Sequence, residues 1–106
     1  MVYARLGELG KAREFHELAL SRRRVLEDRA GIAASLNSLG VLCLRVGELQ
    51  RGVAPGSVAG EFHKARQYFD ESVTLATEVG DLHLQALALG NVGSAVAFLG
   101  DLEHAM

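Results

Sequence analysis

The chain has 106 residues, of which 49% are hydrophobic, 23% charged and 6% aromatic, with one proline and twelve glycines. That is one core of ordinary size, too apolar for a chain disordered throughout, and the pattern of helices punctuated by turns rather than of a β-sandwich. Eleven Lys and Arg against thirteen Asp and Glu leave a formal net charge of −2, so no long-range field gathers nucleic acid or anionic lipid, and neither is expected as a partner.

From the amino terminus, Met1 to Leu6 reads as the tail of a helix that ends before Gly7. A helix is expected over 11–26, where Ala12, Phe15, His16, Ala19 and Leu20 recur at helical spacing. Asp28 stands where an N-cap carboxylate accepts first-turn amide hydrogens, and it opens a helix over 29–46 with the apolar stripe Leu36, Leu39, Gly40 and Cys43. Leu49 to Ala59, rich in glycine and small residues and holding Pro55, reads as a mobile loop. A third helix follows over 61–78. Gly80 suits the left-handed turn that ends it, and Asp81 caps a fourth over 82–99, with another starting after Gly100.

The elements repeat. Gly7-Glu8-Leu9-Gly10-Lys11-Ala12-Arg13 returns 53 positions later as Gly60-Glu61-Phe62-His63-Lys64-Ala65-Arg66 and begins again at Gly100-Asp101-Leu102. Gly47-Glu48-Leu49 stands 40 positions after the first copy and 13 before Gly60. The period is therefore 40 with a 13-residue insertion near 48–60, expected to be removable from Leu49 through Glu61 with little loss of stability. Asp28, Ala33, Leu36, Gly40 and Gly47 each meet an identical residue 53 positions on, at Asp81, Ala86, Leu89, Gly93 and Gly100. The organisation expected is one array: a partial repeat over 1–27, a repeat with the insertion over 28–80, and a partial repeat over 81–106. Without a polar capping helix, such an array is expected to self-associate through its terminal repeat.

The pattern Leu36, Leu39-Gly40, Cys43, Gly47, then Ala65, Phe69 and Ser72, with its echo Leu89, Val92-Gly93, Val96, Gly100 and Ala105, resembles the tetratricopeptide repeat. The period of 40 is similar to the longer variety found in polarity and G-protein-signalling scaffolds and in sensor segments of bacterial transcription activators. The chain departs from that pattern at His16, at Arg24 and Thr77, and at the insertion. The resemblance implies an all-α fold, an α-solenoid of antiparallel helix pairs, with glycine and alanine removing bulk where helices touch; both Gly40 and Gly93 are expected at such contacts.

Residues that would carry chemistry are few, and neither an enzyme nor a cofactor is expected. Gly90-Asn91-Val92-Gly93 lies mid-helix with no strand before it, so it is not a dinucleotide turn. His16, His63, His83 and His104 never fall three or four apart, and no metal site is expected. Cys43, the only cysteine, sits on an apolar stripe where a thiol packs as a small hydrophobe, and its solitude excludes an intramolecular disulfide. Asp70 and Glu71 diverge around a helix, and Arg22-Arg23-Arg24 splay as a solvated basic helix end. Met1 to Gly7 lacks the basic start and apolar core of a secretory signal, and the uncharged run Leu84 to Gly100 is shorter than the about 20 residues of a membrane span, so a cytoplasmic protein is expected.

The function expected is that of a protein-interaction scaffold, holding a peptide segment of a partner in a concave groove lined by the first helix of each repeat. The face opposite the core stripe carries Ser38, Val41 and Arg45, and in the next repeat Leu87, Asn91, Ser94 and Phe98, with Arg5 in the row of Arg45 and Phe98. Asn91 would bond the ligand and Phe98 supply an apolar face, removable without effect on the fold. The alternative is a sensor or autoinhibitory segment of a larger signalling or transcription regulator.

Overall fold

The computed structural model describes residues 2–51 and 58–105, and the side chains of 5–51 and 58–102. All regular structure among the described residues is α-helical: α1 (Val2–Val25), α2 (Arg29–Gln50), α3 (Val58–Val79) and α4 (Leu82–Ala105).

Two turns have the expected chemistry. The Asp28 carboxylate accepts the Gly31 amide hydrogen at 3.0 Å and opens α2, and the Asp81 carboxylate accepts that of Leu84 at 3.0 Å and opens α4. Gly80, at φ 76°, lets the Asp81 N–H reach back to the Ala76 carbonyl at 2.9 Å. Glu27 holds the same place in the first turn at φ 55°, with the Asp28 N–H on the Arg23 carbonyl at 3.0 Å. A side chain there costs about 1–2 kcal/mol against right-handed backbone.

Three boundaries differ from expectation. α1 runs unbroken through Gly7 and Gly10, and α4 through Gly100, so neither a half-helix before Gly7 nor a new helix after Gly100 forms. Glycine weakens a helix by about 1 kcal/mol but ends it only where the chain turns left-handed, and Gly80 is the one described glycine that does so. The expected loop also overlaps two helices: Leu49 and Gln50 belong to α2, and Val58 and Ala59 to α3. Residues 52–57 lie outside the described ones. Both ends of the insertion are thus helical, and because Val58 is fully buried, it contributes to the core.

Each helix packs on the next in sequence, and α2 also touches α4. Numbers fall along α3 as they rise along α2: Ser72 Oγ donates to the Ala33 carbonyl at 2.8 Å, the Phe69 ring lies on Gly40, and the Phe62 ring lies on Gly47. A Cβ on Gly47 would stand 2.6 Å from Phe62 Cε1, and one on Gly40 would be closer still to the Phe69 ring. The main cluster joins Cys43, Leu44, Val58, Phe62, Ala65, Phe69, Ala95 and Leu99; Ala33, Ala76 and Leu84 form a smaller one.

The helix faces correct the stripe reading at two places. α2 buries Leu42, Leu44 and Val46 besides Leu36, Leu39 and Cys43, because it has neighbours on three sides. Phe15 is exposed rather than on a core stripe, since α1 packs on α2 and reaches α3 only through the Arg13 side chain among the described residues. Gly93 has no atom within 4 Å of its would-be Cβ, so it is not the close contact expected from Gly40; no described helix lies against that side of α4. Both α2 and the 82–102 stretch of α4 have the length and mean hydropathy, 1.4, of a membrane span. In α2 67% of that window is buried inside the protein, whereas in α4 only 17% is.

Gly40→Ala is therefore expected to lower stability by about 1–3 kcal/mol through overpacking, whereas Gly93→Ala raises it by about 0.5–1 kcal/mol through helix propensity, in urea titration followed by circular dichroism. In the same assay, deletion of Leu49 through Glu61 costs more than about 2 kcal/mol because it removes buried Val58.

Candidate functional site

The eight residues expected in the groove divide into two groups. Arg5, near the start of α1, and Arg45, near the end of α2, are both exposed and line one cleft of about 450 Å³ with Glu8, Leu9, Glu48 and Leu49. Helix geometry produces it: Arg5, Glu8 and Leu9 are one turn apart on α1, as Arg45, Glu48 and Leu49 are on α2. None of the four charged groups forms an ion pair among the described residues. Two guanidinium and two carboxylate groups beside two leucines can hold a segment that offers charge and an apolar side chain together.

The other group lies where α2 and α4 meet. Asn91 Nδ2 donates to Asn37 Oδ1 at 2.9 Å, so its amide joins the two helices instead of standing free for a ligand. Asn37 is buried, and its role was not read from the sequence because it falls between Leu36 and Ser38 on neither expected face. The Phe98 ring stacks on fully buried Phe62, with centroids 5.0 Å apart and planes 11° from parallel. It is half-buried, as is Val41, and both pack on the main cluster. Ser38 is half-buried; Leu87 is exposed; Ser94 is exposed with its hydroxyl on the Gly90 carbonyl at 3.4 Å. Phe98 does not line the Arg5–Arg45 cleft.

Two arginines of α1 make polar contacts with other helices, Arg13 with α3 and α2 and Arg23 with α2. Arg13 Nη2 meets Glu61 Oε2 at 3.1 Å and reaches Cys43 Sγ at 3.7 Å. Arg23, expected to be solvated, donates to the Gly31 carbonyl at 3.0 Å and to Ser35 Oγ at 2.7 Å; its long side chain crosses the turn and satisfies polar atoms that α2 would otherwise bury. Burial pushes the Cys43 thiol up to about 11, so it stays protonated at neutral pH and is a poor nucleophile. No group of three or more His, Cys, Asp and Glu able to hold a metal is found among the described residues. Comparison with protein-family models, with characterised proteins and with solved structures finds no match to this chain.

Phe98→Ala is expected to cost about 1–3 kcal/mol in thermal or urea denaturation, from lost burial and lost stacking; an unchanged melt would place the ring in solvent. The thiol gives a pH prediction. An acid raised in the folded state contributes stability in full below its unfolded value, near 9.0, and loses it as pH rises through about 11. Stability of the parent should fall across that window, and Cys43→Ala should flatten the fall whatever its offset.

Proposed function

We propose that the chain is a helical-repeat module of antiparallel helix pairs, resembling the tetratricopeptide type, that binds a peptide segment of a partner protein. The observation that supports this reading is that Arg5 and Arg45, equivalent positions one period of 40 apart in sequence, line one cleft with their charges unpaired. The ligand that suits it is a segment with an acidic residue for the guanidinium groups beside an apolar residue for Leu9 and Leu49. Asn91 and Phe98 act through the scaffold: the amide fixes α4 on α2, and the ring fixes it on α3. With no metal, cofactor or catalytic cluster in this reading, the protein works by selecting a partner in a reducing, cytoplasmic setting.

The test is selection from a displayed random-peptide library followed by fluorescence polarisation. Acidic-apolar peptides are expected, and the double variant Arg5→Glu, Arg45→Glu should lose at least about tenfold in affinity while keeping the parent's melt. Selected peptides that bind the double variant as well as the parent would contradict the reading.

A further inference from the structure

The order of contacts, α1 on α2, α2 on α3 and α3 on α4, leaves one face open at each end. On α4, Leu89, Gly93, Val96 and Gly100 are the 53-position counterparts of Leu36, Gly40, Cys43 and Gly47 on α2. The α2 set is buried under α3, with a phenylalanine ring on each glycine. The α4 set is open: Leu89 is 52% and Val96 44% exposed, and nothing lies within 4 Å of a Cβ on Gly93 or Gly100. On α1 the same register places Leu9, Ala12, Phe15, His16 and Ala19 at the positions of Phe62, Ala65, Tyr68, Phe69 and Ser72 on α3, so half-buried Leu9 and His16 stand where α3 carries the rings seated on glycine. Ala65 and Ser72 are buried, Ser72 with its hydroxyl on α2, and Tyr68 packs on the main cluster. Phe15, by contrast, is 69% exposed, and it borders a hollow of about 180 Å³ with Leu18, itself 54% exposed, and Ala19.

We infer that copies of this chain associate head to tail, the open face of α4 in one copy receiving the open face of α1 in the next. The established α2–α3 contact shows what the α4 face is shaped to take: a helix of the α3 kind, seated against glycines. Its counterpart by register is α1 at the other end of the same chain, where Ala12 and Ala19 are half-buried and Phe15 is exposed. A partner of different origin accounts for one open face, while a second copy accounts for two in matching register. The contact is heterologous, so an assembly of any length keeps one free face of each kind and growth continues beyond a dimer. This rests on the duplication of the two halves and not on the ligand reading of the Arg5–Arg45 cleft, although Leu9 belongs to both surfaces.

Sedimentation equilibrium of the full chain from about 1 µM to about 1 mM, the range of modest affinities, should show mass rising past twice the 11.3 kDa of one copy. Gly93→Arg blocks the α4 face and Phe15→Glu the α1 face, and both positions are solvent-exposed. Each variant alone should stay monomeric with the parent's circular-dichroism melt, and an equimolar mixture should give a one-to-one dimer that grows no further, since the mixture holds one intact face of each kind. A monodisperse parent monomer throughout the range would overturn the proposal, including one that instead floats with phosphatidylcholine vesicles. So would a mixture that remains monomeric, or variants that associate as the parent does.

Discussion

The close approach of α2 to α3 sets the rest of the structure. Gly40 and Gly47 stand seven residues apart on α2, two turns along one face, and each receives a phenylalanine ring from α3. A ring seated against bare backbone brings the helices together without a void, and the two seats fix both the spacing and the register. Once that register is set, Ser72 meets the Ala33 carbonyl and the Phe62 ring presents its other face to Phe98. The position of α4 therefore depends on Phe62 as much as on its own capping by Asp81.

Burial of α2 on three sides gives the molecule its polar economy. Backbone and side-chain polar atoms near the start of α2 are met by Arg23, Ser72 and the Asp28 cap, and no buried side-chain nitrogen or oxygen among the described residues lacks a partner. Arg13 reaches past α2 to Glu61 on α3, beside a thiol that burial keeps neutral. Arg5, Glu8, Arg45 and Glu48 line one cleft, and none of them is in an ion pair among the described residues.

Much of the fold can be read from the residues. The duplication at 53 positions, the caps at Asp28 and Asp81 and the left-handed turn at Gly80 are local signals with local consequences, and they place four helices. Gly7 and Gly100 misled because a glycine after a helical stretch looks the same in sequence whether or not the chain turns there; the deciding factor is the φ it adopts. Gly93 and Phe15 misled for another reason. Their counterparts Gly40 and Tyr68 pack because a neighbouring helix exists, and identity with a repeat position carries the shape of a contact but not its partner. Arg5 and Arg45, which the period of 40 puts at one repeat position, line one cleft, while Phe98, read in the same row, does not. The Asn37–Asn91 bond and the Phe62–Phe98 stack were not legible, because they depend on how deeply α4 settles between α2 and α3, a tertiary distance that helical spacing does not specify.

The seating of rings on glycines is measurable in solution by nuclear Overhauser spectroscopy on the folded chain. The ring protons of Phe69 should show strong cross-peaks to the Gly40 α-protons, and those of Phe62 to the α-protons of Gly47 and the ring of Phe98. Absence of both glycine cross-peaks in a chain whose amide spectrum is well dispersed would mean that α2 and α3 meet in another register and would contradict the account.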